Sequence, residues 1–122
     1  MGTSTFVKVP ANPEIPLKPD VLAAYKELYD QYEAAIEATA DTALLEKLNT
    51  SQQAVADVIN LNDKAILDQN TATFAAVLTQ IGVANKGIDS LKVEIEKIAG
   101  HIKMYAGILS GIDKVLSMVP VL

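Results

Sequence analysis

Phe74, Ile81, Ile88, Ile95, Ile102, Leu109 and Leu116 recur at seven-residue intervals, and Val77, Ala84, Leu91, Ile98, Tyr105, Ile112 and Val119 fill the positions between them. On a helix the two series make one apolar stripe, and a strict seven-residue period is the pattern of a supercoiled seam. A stripe of this length is driven out of water by its apolar area. Another helix must lie along it, so the chain is constrained to an all-α architecture of helices packed lengthwise.

A partner for the stripe stands earlier in the same chain. From Asp20 to Ile81 there is neither glycine nor proline. Leu22, Tyr25, Tyr29, Tyr32 and Ile36 follow three–four spacing, with Asp20, Glu27, Asp30, Glu33 and Glu37 on the opposite face. The apolar positions then drift through Ala40, Leu44 and Leu48 before resuming at Val55, Ile59 and Ile66. Two readings fit this drift: a stutter absorbed by local unwinding, or a break near Thr39–Thr42 capped by Asp41 or Thr42. Asp68-Gln69-Asn70-Thr71 is a polar interruption in which Asn70 or Thr71 can cap a new helix.

Two arms of matched length therefore flank a short turn: residues 20–68, a turn at 69–71, and residues 72–119, closed by Pro120. Each arm, if fully helical, would be about 70 Å long. The predicted fold is a long antiparallel helical hairpin, coiled-coil-like, or a three-helix bundle if the stretch near Ala40 breaks. Asn85-Lys86-Gly87 resembles a helix C-terminus, yet the heptad phase runs through it, which predicts a continuous second arm. Residues 1–19 form a separate extended arm. Pro10, Pro13, Pro16 and Pro19 fall at every third position, which lines their rings along one edge of a polyproline II segment. Residues 20–122 are expected to make one helical domain.

The formal net charge is −5, and all ten basic residues are lysine. Without arginine, and with an acidic balance, the chain lacks the basic footprint of nucleic-acid binding. Cysteine is absent, so disulfides and thiolate chemistry are excluded. No basic region followed by an apolar run opens the chain, so no cleavable signal peptide is expected; export by a signal-less route stays open, and the sequence assigns no compartment.

Little in the sequence can carry catalysis. His101 is the only histidine, and no serine sits in a strained-turn motif that would make it a nucleophile. The acidic pairs Asp30 with Glu33, Glu33 with Glu37, and Glu94 with Glu96 occupy polar faces, and no Glu-x-x-His motif accompanies them. Phosphate-cradling glycine motifs are absent. The expectation is a protein that is not an enzyme, with no cofactor and no metal.

Association is better supported. From Ile98 onward Met104, Ile108 and Val115 widen the apolar surface beyond the seam, while Gly107 and Gly111 sit on a face expected to lie opposite it. In the hairpin, facing residue numbers should sum to about 140, which brings Tyr25, Tyr29 and Tyr32 over this end, their hydroxyls seeking water or a polar partner. The predicted interaction surface is Ile98, Ile102, Met104, Tyr105, Gly107, Ile108, Leu109, Gly111, Ile112, Val115 and Leu116, with Tyr25, Tyr29 and Tyr32. The expected function is helical assembly, through a homo-oligomer or a helical protein partner. A membrane-active or secreted helical protein is the alternative, and a helical binder of an apolar small molecule is a third.

Overall fold

The computed structural model describes residues 14–98 and 103–119. They form four helices: α1 (Pro19–Ala38), α2 (Thr42–Asp68), α3 (Thr71–Glu96) and α4 (Ala106–Met118). Neighbours in the chain are neighbours in space, α4 closes back onto α1, and the diagonal backbones stay apart. This is the arrangement of an up-down-up-down bundle.

Each boundary has a local cause. Pro19 occupies the first turn of α1, where its missing N–H is harmless. Thr39 ends the helix in extended backbone, its hydroxyl bonded to the Ala35 carbonyl at 2.6 Å. Asp41 caps α2 by accepting from Leu44 N at 2.9 Å. The α2–α3 turn is the polar interruption seen in the sequence. Gln69 adopts the left-handed conformation, and Asn70 caps α3 through Ala72 N at 2.7 Å. Asp68 ties the turn together, accepting from Asn70 N and Thr73 Oγ1.

The chain thus breaks near Ala40, and α3 runs through Gly87 as the heptad phase required. The second arm is not one helix, however. It stops at Glu96, and α4 starts afresh at Ala106. The physical reason lies in the first arm. Once α1 has turned back at 39–41, a straight continuation of α3 would find no helix beside it. Folding back instead buries Ile108, Ile112 and Val115, each worth about 1.5–3 kcal/mol when removed from water. The buried face also shifts by about one position within α4: Ile108 and Val115 are inside, while the heptad residues Leu109 and Leu116 are half-buried. Pro10 and Pro13 of the proline-rich arm, and Ile102 of the heptad, lie outside the described residues. Of the arm's described part, Leu17 is buried and its N–H donates to Asn62 Oδ1 at 2.7 Å.

The helices differ in length, and this shapes the surface. Val119, at the end of α4, accepts through its carbonyl from Asn85 Nδ2 at 2.8 Å, and Asn85 lies midway along α3. Phe74, Leu78 and Gly82 of α3 therefore extend past the end of α4. In the same way, the Leu17–Asn62 bond sets the start of α1 beside Asn62, so Ile66 and Leu67 of α2 lie beyond it.

Candidate functional site

The residues of the predicted interaction surface are divided between interior and exterior. Tyr25, Tyr32, Tyr105, Ile108, Ile112 and Val115 are buried in the chain's own core, as is the backbone at Gly111. Ile98, Leu109, Leu116 and Tyr29 are half-buried. Met104 and Gly107 are exposed, and Ile102 lies outside the described residues. The structure brings α1 and α4 together in the expected antiparallel register: Lys114 Nζ reaches Glu27 Oε1 at 3.2 Å, and Thr39 Oγ1 meets the Tyr105 hydroxyl at 3.0 Å. Gly111 does not face away from the seam. A Cβ there would overlap the Gln31 side-chain amide and lie 3.2 Å from Leu28 Cδ1, so glycine permits the close approach of α4 to α1. Gly107, by contrast, faces open space.

Sequence reasoning missed the most organised feature of the interior, a set of polar side chains. Among the described residues the buried polar ones are Ser51, Gln52, Asn62 and Asn85, all on α2 or α3. Every one of them bonds to α1, α4 or the arm. Asn62 accepts from Leu17 N. Ser51 shares a short hydrogen bond with the Tyr32 hydroxyl. Gln52 donates to Glu33 Oε1 at 2.8 Å and approaches the Tyr29 carbonyl at 3.4 Å. Asn85 accepts from the Tyr25 hydroxyl at 2.9 Å and donates to Val119 O. α2 and α3 lie along each other over the longest stretch, with Gln80 donating to the Ala54 carbonyl at 3.1 Å across them, and their buried apolar residues, among them Leu48, Val55, Val58, Ile81, Ile88 and Ile95, join those of α1 and α4 in one core. The four helices thus share one apolar core, and the buried polar bonds run along it between the α2/α3 side and the α1/α4 side. Burial pushes the Tyr32 phenol up to about 12, partly opposed by the Ser51 bond, and raises Tyr25 further, partly opposed by the bond to Asn85. Both phenols therefore stay neutral and serve as hydrogen-bonding groups at neutral pH. Among the described residues, the buried polar atoms Asn62 Nδ2 and Gln31 Oε1 have no hydrogen-bond partner.

At the end where α1 turns into α2, a cleft of about 340 Å³ is lined by Ala38, Ala40, Asp41, Leu44, Ile98, Met104 and Tyr105. Its walls are mostly apolar, with one carboxylate already engaged as the cap of α2. Among the described residues no three His, Cys, Asp or Glu side chains gather where they could hold a metal ion. No described helix is long and apolar enough to cross a membrane.

The chain matches no known family model, no curated protein and no solved structure.

Proposed function

We propose that this is a non-enzymatic helical assembly protein, acting through self-association or through packing against a partner helix. The observation that carries the reading is the uneven length of the helices. The α2–α3 hairpin projects past both α1 and α4, and at its end Leu67 is 85% and Ile66 48% exposed. Two adjacent large apolar side chains at a helix end gain free energy when a partner covers them. Light scattering across rising concentration tests the reading, with growth of a dimer or larger species expected. Leu67→Glu should weaken that growth while leaving the helical content unchanged, because the side chain is exposed and its loss disturbs no core contact. A single monodisperse monomer at the highest concentration would remove the self-association arm, and failure of Leu67→Glu to alter assembly would move the contact elsewhere.

The cleft near Ala40 supports a second reading, binding of a small apolar molecule. Its volume lies at the lower end of ordinary ligand pockets. A hydrophobic fluorescent probe should report it, with Leu44→Glu abolishing the signal; equal binding by both proteins would count against the cleft.

A further inference from the structure

The geometry points to a second copy of this chain as the partner, bound by exchange of the α1/α4 pair. This rests on the self-association reading and names how the dimer forms; the Leu67 tip, which exchange leaves uncovered, is then the contact for growth beyond the dimer. In the exchanged dimer the α1/α4 pair of each protomer leaves its own α2/α3 pair and packs on that of the other copy. Four features of the fold carry the inference.

The first is where the polar bonds lie. All four buried polar residues on α2 and α3 reach across to α1, α4 or the arm. Hydrogen bonds given up on opening are replaced by bonds to water, whereas an apolar contact that opens has no such replacement. The pairs also share one apolar core, and exchange covers it again with the same face of another copy, so no apolar area is left in water. The same bonds are directional, so they re-form in the same pattern with another copy and favour it over an unrelated helix.

The second is the close seating of α4 on α1. Gly111 lets α4 seat against Leu28, and Lys114–Glu27 and Thr39–Tyr105 mark one register at two levels of the pair.

The third is the position of the hinges. The α1–α2 turn and the α3–α4 connection lie at the same end of the bundle, as the Thr39–Tyr105 bond records. The first hinge is only Thr39-Ala40-Asp41, and its outer two residues are already extended. The described backbone bonds there, Thr39 N to Ile36 O and Leu45 N to Asp41 O, each belong to one helix end, and neither ties α1 to α2. A short hinge such as this first one invites exchange between copies.

The fourth is register. Lys47 faces Glu94 across α2 and α3. Glu27 stands twenty residues before Lys47, Lys114 twenty after Glu94, and these two also face each other. Both retained pairs therefore share one antiparallel register. The opened protomer is the long two-armed hairpin described by the sequence periodicity, with neither retained contact broken.

The absence of cysteine makes a clean test available. In Lys92→Cys/Asp113→Cys, the new thiols span α3 and α4, where the native side chains pair at 2.8 Å. In Lys47→Cys/Glu94→Cys they span α2 and α3, which stay together in either form. Each variant is refolded at high concentration, its dimer isolated by size exclusion, treated with a short bismaleimide and run on a denaturing gel. Exchange predicts a shift to a two-chain band for the first variant and a one-chain band for the second. A dimer in which both variants link within one chain overturns exchange and leaves self-association standing. A chain that stays monomeric in every preparation overturns both. Inserting six Gly/Ser residues after Ala40 should lower the dimer fraction by relaxing the turn; an unchanged fraction would also overturn exchange, since a surface contact is indifferent to hinge length.

Discussion

The Tyr25 hydroxyl donates to Asn85 Oδ1 at 2.9 Å across the diagonal of the bundle, although no backbone contact joins α1 to α3. Asn85 then donates to the Val119 carbonyl, so one side chain on α3 holds both α1 and the end of α4. Tyr25→Phe should leave a buried acceptor unpaired and cost about 1–3 kcal/mol in urea unfolding. Asn85→Ala should cost more, because two bonds are lost. The double variant should be less destabilised than the sum of the two, and strict additivity would show that the bond does not form.

Glycines separate by what surrounds them. Gly82 sits inside α3 with open space beside it, so Gly82→Ala should raise stability by about 0.5–1 kcal/mol. Gly111→Ala must displace the Gln31 amide and press Leu28 Cδ1, so it should lack the gain of Gly82→Ala and cost up to about 1 kcal/mol. Shortening Gln31 to alanine removes the overlapping amide and its unpaired oxygen, and should restore most of the loss in the double variant. Thermal unfolding of the four proteins decides; equal effects at Gly82 and Gly111 would contradict the close α1–α4 approach.

Gln69 holds φ 47 and ψ 40 at the end of α2, a conformation in which a side chain is strained and glycine is not. Gln69→Gly should therefore stabilise the chain, despite glycine's larger unfolded-state entropy, by about 0.5–1 kcal/mol. A lowered melting temperature for this variant would mean that the turn adopts another form.

Alkaline pH should loosen the seam. Burial pushes Tyr32 up to about 12 from its ordinary value of 10.0, and raises Tyr25 further. In the unfolded chain both phenols ionise near pH 10, while the folded chain keeps their protons. The stability they contribute is whole below pH 10 and falls as pH rises from about 10 toward 12, by about 3 kcal/mol for Tyr32 alone. Urea titrations from pH 8 upward should show this slope, shallower in Tyr32→Phe. A flat profile through pH 12 would mean the phenols are not buried in solution.

Much of the fold was legible from local chemistry. Pro19 at the start of α1 and the polar turn around Asn70 each follow from a few neighbouring residues, and the passage of α3 through Gly87 follows from the unbroken heptad phase. The polar seam was not legible. Asn62 and Asn85 look like ordinary polar positions in their helices, and their partners lie 45 and 60 residues away. Nothing local marks a polar residue as buried when its hydrogen bond is made by a distant helix.

By itself, then, the sequence determined that the chain is helical and which side of each helix is apolar, because periodicity and capping are properties of adjacent turns. It did not determine which helix would cover which stripe. The apolar pattern from Phe74 to Val119 reads the same whether the second arm runs straight or folds back. Tertiary structure decided that the chain turns back between α3 and α4, because α1 had already turned back at 39–41 and offered a face on which Ile108, Ile112 and Val115 leave water.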